Sequence, residues 1–224
     1  MDNLIFDQKA YSEYMDDLNY SQGFYVTPGR DGSVLVGRIR RVGEYSGDLY
    51  RKAEQAARFA VEEHNKEEGE KGLLKFLRIV NLNVEPAAAA VYYITMAAAD
   101  SAGETCHYQA KVWEKINTGY KLQIFRLAPY WLKFSDKLAN NFCCIRIDKL
   151  MPWMNESYIY YKCFYRAHKE LLGVEVVHNE QRGSGRGVLW FKTWAEAESV
   201  VNKYAGKMMP STNMFYEFDL NISP

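Results

Sequence analysis

The sequence has no surplus of charge of either sign, since 28 Lys and Arg balance 28 Asp and Glu over 224 residues. A neutral chain sets up no overall field to draw nucleic acid or an anionic membrane, so any such contact must come from a local patch. Long apolar runs are missing as well. No window approaches the roughly 18 apolar residues of a membrane span, and the start, MDNLIFDQKAYSEYMDDL, lacks the basic and apolar segments of a secretory signal. An intracellular protein, cytoplasmic and/or nuclear, is expected. Cysteine and histidine are sparse, with four of each. Cys106, Cys143, Cys144 and Cys163 contain no CxxC pair and match no zinc spacing, so reduced, buried thiols are expected. His64, His107, His168 and His178 have no neighbours arranged as metal ligands. There is no P-loop pattern, no dinucleotide fingerprint and no nucleophile signature. The glycine-rich stretches GRDGSVLVGR and RGSGRG do not join a strand to the start of a helix, as a phosphate cradle must, and are predicted as turns. The carboxylate pairs Glu62 with Glu63 and Glu67 with Glu68 fall at a helix end and in a charged turn, where solvation explains them. These absences predict no enzyme activity, no cofactor and no metal.

What is present is globular: 48% of the residues are hydrophobic and 25% charged, at a length that fits one large domain or two small ones. Residues 51–65, RKAEQAARFAVEEHN, place Ala53, Ala56, Ala57, Ala60 and Val61 on one stripe at helical spacing. Its small side chains let a sheet approach closely. Strands are predicted at residues 73–84, 91–97, 107–115 and 120–127, rich in β-branched and aromatic residues and separated by short linkers. One helix followed by four such strands is an antiparallel sheet with the helix across it. The segment APYWLKFSDKLANN breaks that pattern. After it the order becomes βαββαβ: CCIRI, NESYIYYKCFYRAH, VEVVHN, VLWFK, AEAESVVNKYAG and a last strand near MFYEFDL. Four regions follow: an N-terminal extension at 1–33, a first domain at 34–128, a linker at 129–142 and a second domain at 143–224. Residues 1–128 hold 16 basic against 18 acidic residues, and 129–224 hold 12 against 10, so neither part is strongly charged. In the extension, Leu4, Phe6, Tyr11, Tyr14 and Leu18 fit one side of a short amphipathic helix, which either packs on the first domain or docks a partner.

The helix segment ARFAVEEHNK, then LLKFLRIV, VYYITMAAAD and YQAKVWEK, resemble the plant cystatins, inhibitors of papain-type cysteine proteases, over about residues 34–127. The resemblance implies a protease-contacting wedge of three parts: a glycine near the N-terminus, a hairpin with the pattern QxVxG, and a second hairpin with a Pro-Trp pair. Gly37, in VGRIRRV, matches the first. The QxVxG pattern falls on Glu85, Pro86, Ala87, Ala88 and Ala89, and the Pro-Trp pair on Ile116 and Asn117. Two of the three elements are therefore replaced. Large anchors that fill pockets dominate such interfaces, and alanine offers only a methyl group. A glycine at positive φ costs about 1 kcal/mol to replace, so the tip is expected to change conformation. Glu85 adds a carboxylate that would need desolvation in a cleft.

IRIDKLMPWMNESYIYYKCF and GVEVVHNEQRGSGRGVLWFKTWAEAESVVNKYAGKMMP resemble an RNA-recognition motif over about residues 143–222, as in plant nuclear poly(A)-binding and selenocysteine-tRNA-associated proteins. The fold class expected is α+β: a cystatin-like antiparallel sheet wrapped on one helix, followed by a ferredoxin-like βαββαβ domain. In that family, outward aromatic rings on the two central strands stack on bases. The matching positions here are Arg146 in the first strand and Arg186 and Val188 in the second, none of them aromatic. Residues two apart share a face, so Arg186, Val188 and Trp190 point together to the open side. Trp190 and Arg146 then offer a displaced stacking site for single-stranded RNA, or the core of a protein-binding surface. The combined expectation is a non-enzymatic binding or regulatory protein. The rivals are a papain-type protease inhibitor of reduced affinity and a purely structural interaction module.

Overall fold

Alanines spaced three and four residues apart lie on one stripe of a helix. Ala53, Ala56, Ala57 and Ala60 of α2 (Asp48–Glu68) are fully buried in the computed structural model, which describes residues 7–28, 38–43, 46–69, 73–133, 136–137, 142–167, 169–179 and 183–220. The methyls let α2 settle on a five-stranded antiparallel sheet ordered β1-β2-β3-β4-β5. Its strands are β1 (Arg40–Arg41), β2 (Lys75–Pro86), β3 (Ala90–Ala99), β4 (Thr105–Lys115) and β5 (Gly119–Leu127). The four predicted strands are all present; β2 is shifted two residues along the chain, and β3, β4 and β5 are longer than expected by one to three residues. The short β1 was not predicted, because two arginines carry no strand signal. Leu82, Val84, Tyr92, Ile94, Met96, Ala110 and Val112 form the core beneath α2.

The N-terminal segment covers the other side of this sheet. Asp7 caps α1 (Gln8–Ser21), its carboxylate accepting from the Lys9 and Ala10 N–H groups at 3.0 Å. The chain then turns through Gln22 and Gly23 at positive φ. A Cβ on Gly23 would lie 2.6 Å from Cε1 of Tyr93, so only glycine lets the backbone pass so close over β3. Phe24, Tyr25 and Val26 follow, all fully buried. The side-chain amides of Asn81 and Asn83 donate to the carbonyls of Phe24 (2.8 Å) and Gly23 (2.9 Å). β3 is thereby buried on both faces, with α2 against Tyr92, Ile94 and Met96 and the N-terminal segment against Val91 and Tyr93. The helix expected from Leu4, Phe6, Tyr11, Tyr14 and Leu18 contains the last three, while Leu4 and Phe6 lie outside the described residues.

The chain divides into two compact units, Met1–Ala128 and Pro129–Pro224. The second has a four-stranded antiparallel sheet ordered β7-β8-β6-β9, built from β6 (Cys143–Leu150), β7 (Leu171–Asn179), β8 (Ser184–Phe191) and β9 (Phe218–Asp219). The chain runs from β6 to β7 through α3 (Glu156–Tyr158), which continues as a π-type turn over Ile159–Cys163 and a 3-10 turn over Tyr165–Ala167. The single helix expected there is thus broken into three. The Phe164 N–H reaches back five residues to the Ile159 carbonyl (3.0 Å), and both side chains are fully buried. α4 (Trp194–Tyr204) opens on a capping box in which Thr193 and Glu196 each accept from the other's backbone N–H.

Two expectations need correction here. The stretch RGSGRG is not simply a turn, since its last four residues, 184–187, begin β8. The missing side chains give room to packed neighbours: a Cβ on Gly185 would meet the His178 ring at 2.3 Å, and one on Gly187 would meet Ile147 at 2.8 Å. Nor is the start of the 129–142 segment a free linker. Tyr130 is fully buried, its carbonyl accepts from the Val174 N–H (2.9 Å), and its hydroxyl lies 3.1 Å from that of Ser157. An aromatic side chain with a polar tip gains by burial against an edge strand, and this one anchors the segment to the second unit.

Candidate functional site

Strand register assembles the end of the first sheet where the protease wedge was expected. Arg40 lies opposite Val84, Pro86 opposite Ala90, Ala90 opposite Glu114, and Glu114 opposite Tyr120. The loop of residues 87–89, the loop of residues 116–118 and the lead-in to β1 therefore sit at one end. Gly37 lies outside the described residues. Ala87 and Ala88 are exposed and Ala89 half-buried, and none of the three adopts positive φ. The alanine tip has a conformation suited to side chains, in place of the left-handed one a glycine permits. In the second loop Ile116 is 59% exposed, and the chain turns on Asn117 at φ 61°.

Below the tips, carboxylates are tied to tyrosines on both faces of the sheet. The Tyr93 hydroxyl donates to Glu85 at 2.8 Å on the outer face. On the α2 face the Tyr92 hydroxyl donates to Glu114 at 2.6 Å, and Lys52 binds the other oxygen of that carboxylate at 3.1 Å. Burial raises the pKa of both tyrosines, and the adjacent carboxylates raise it further, so both hydroxyls stay protonated donors. Glu85 thus braces the hairpin from inside. Among the described residues the tips present Pro86, the alanine methyls, Ile116, Asn117 and Thr118, with no large aromatic anchor.

The second candidate surface is the open face of the second sheet. Along β8, Gly185, Gly187, Leu189 and Phe191 are buried, while Arg186, Val188 and Trp190 alternate with them toward solvent. Register brings Arg146 opposite Val188 and Asp219, and Val188 opposite Glu175. Arg146 is held by two carboxylates, Asp148 at 3.0 Å and Asp219 at 2.6 Å. The Trp190 indole N–H donates to Glu175 at 2.8 Å. Lys137 pairs with the same carboxylate and holds its ammonium 5.3 Å from the centre of the Trp190 ring. The predicted Arg146, Arg186, Val188 and Trp190 do share one face, as alternation required. Sequence reasoning missed the residues that occupy them. Asp148, two positions from Arg146 on the same strand, was legible by alternation; Glu175, Asp219 and Lys137 meet the site only through tertiary pairing. The four cysteines are buried, and burial pushes the Cys163 thiol up to about 12, which leaves it unreactive.

Comparison with known proteins bears on the first unit through two findings. A family model described as aspartic acid proteinase inhibitor matches residues 50–127. Cysteine proteinase inhibitor A of Helianthus annuus is 42% identical over 74 residues, covering 33% of this chain and 87% of that protein. This chain belongs to the plant cystatin family. A second cystatin relative, multicystatin of Solanum tuberosum, is 32% identical over 110 residues, 49% of this chain and 14% of that protein. Polyadenylate-binding protein RBP47 of Nicotiana plumbaginifolia is 41% identical over 70 residues, 30% of this chain and 16% of that protein. The chain therefore spans about one-seventh of the multicystatin and one-sixth of the polyadenylate-binding protein. A cystatin-type unit and an RNA-recognition-type unit stand in one α+β chain. Among the described residues no helix is long and apolar enough to cross a membrane.

Proposed function

We infer that this cystatin-family chain is a non-enzymatic binding protein that has lost tight inhibition of papain-type proteases and uses the sheet of its second unit to hold a protein partner. The observation that carries the reading is the state of the inherited contact positions. The hairpin tip offers Ala87, Ala88 and Ala89, and Glu85 is bonded to Tyr93. In the second unit, Arg146 is neutralised by Asp148 and Asp219, and Trp190 is bonded to Glu175 beneath Lys137. RNA binding of useful strength needs cations free to replace counterions, and with Arg146 and Lys137 already paired this face offers Arg186 as its exposed cation. Paired charges around one tryptophan suit a protein surface, where tryptophan and arginine are the enriched anchors.

The test is a titration of papain with the intact chain. Papain activity stays unchanged up to micromolar protein on this reading, and stoichiometric inhibition would overturn it. A second reading has one observation in its favour, the description of the matching family model as aspartic acid proteinase inhibitor. Pepsin in the same assay separates the two, because stoichiometric loss of pepsin activity with papain untouched selects the second reading.

A further inference from the structure

Lys111, Trp113 and Lys115 alternate along β4, so all three project from one face, while Ala110 and Val112 on the opposite face are buried beneath α2. That face is the outer one, since Trp113 packs with Phe24, Val91 and Tyr93. Lys121 lies directly opposite Trp113 on β5 and is exposed, and Arg126 lies further along the same strand. The heads of three of these cations rest over aromatic rings: Lys111 over Tyr93 at 4.9 Å, Lys115 over Trp113 at 5.8 Å and Arg126 over Phe24 at 5.2 Å. Rings position a cation without cancelling its charge. Among the described residues none of the four makes an ion pair with a carboxylate. Arg126 bonds the neutral side chain of Gln109, and the neighbouring carboxylate of Glu114 is held on the α2 face by Tyr92 and Lys52. Among the described residues β5 is the edge strand of this sheet. Among the described residues, four cations without carboxylate partners thus line one face that carries a half-buried indole.

We propose that this outer β4–β5 face is a binding surface for single-stranded RNA, with Lys111, Lys115, Lys121 and Arg126 on phosphates and Trp113 under a base. Cations that track a backbone beside an aromatic platform are the elements of sequence-tolerant single-strand binding. An acidic peptide would use the charges and leave the indole idle, so the central Trp113 favours nucleic acid.

Fluorescence polarisation of a short labelled oligouridine with the full chain, at about 50 and about 200 mM salt, is the test. Four neutralised phosphates at about 0.7 each predict a log–log slope near −3, an affinity loss of about 50-fold between the two conditions. Replacing Lys111, Lys115 and Lys121 together by Gln is expected to weaken binding about tenfold at the lower salt and to flatten the slope. Lys→Arg at the same positions should restore it, and circular dichroism reports whether each variant is folded. Trp113→Phe keeps an aromatic ring in the apolar cluster and should weaken binding at both salts with the slope unchanged. Absence of saturable binding would overturn the proposal, as would full affinity in the triple Gln variant, or competition by polyglutamate as effective as by RNA. Loss of binding in Arg186→Gln instead would place RNA on the second unit and would also sink the protein-partner reading; absence of any binding leaves that reading standing.

Discussion

Two sheet faces in this chain hold cations beside a tryptophan, and they treat those cations in opposite ways. On the second unit, Arg146 and Lys137 are matched by Asp148, Asp219 and Glu175, and the Trp190 indole is bonded. On the outer face of β4 and β5, Lys111, Lys115, Lys121 and Arg126 surround Trp113 with no carboxylate partner among the described residues. The difference teaches that a family's contact positions and a chain's available charge need not coincide. The face that resembles a nucleic-acid surface pairs Arg146 and Lys137 with carboxylates and leaves Arg186 exposed, and the face with free charge belongs to a fold whose relative is named a cysteine proteinase inhibitor.

The largest way to break this comparison is to strip the first sheet of its cover. Phe24 is fully buried between the N-terminal segment and β3, edge-on to Tyr93 at 5.8 Å, and it supports the guanidinium of Arg126. Phe24→Ala should cost about 3–5 kcal/mol and lower hydrogen-exchange protection in β2, β3 and β4 while leaving the second unit unchanged. Equal protection in mutant and wild type would mean that the N-terminal segment is not part of the first unit's fold.

A slightly smaller effect separates the units by pH. Burial, aided by the charge of Arg78, holds His107 at a pKa of about 4 against an ordinary 6.5, so the folded state keeps it neutral. The unfolded chain takes up the proton between those values. Stability of the first unit therefore falls as pH drops from about 6.5 to about 4, by about 3 kcal/mol, and this contribution is flat below the folded pKa. Denaturant titrations at pH 7 and pH 4.5, read by unit through hydrogen exchange, check it; His107→Phe should remove the slope.

The smallest effect sharpens the other side. Arg146 sits in half-exposed ion pairs, which stabilise little, so Arg146→Ala should change stability by no more than about 1 kcal/mol. It should leave oligouridine affinity unaltered. A marked loss of affinity would show that the neutralised face still reaches RNA.

Much of this fold was legible because its signals are local. The alanine stripe of α2 and the β-rich runs of β2 to β5 are periodic over short windows, and the alternation of Arg186, Val188 and Trp190 predicted a shared face that register then supplied. What escaped depends on partners distant in sequence. Nothing near Trp190 announces Glu175, 15 residues away, and nothing in a stretch expected as linker announces Lys137 above the ring. The burial of β3 on both faces was hidden for the same reason, since the segment that covers its outer side lies more than 60 residues earlier. The alternating KVWEK of β4 carries part of the basic patch in plain view.

The central claim is that the hairpin tip keeps its place and has lost its contacts, and one comparison of papain inhibition constants tests it. The wild-type chain should show no inhibition up to micromolar concentration. The triple variant Glu85→Gln, Ala87→Val, Ala89→Gly, which restores the family pattern on the same β2–β3 hairpin, should inhibit at least about tenfold more tightly, a gain of about 1.4 kcal/mol. Wild-type inhibition as tight as that of the restored variant would contradict the claim.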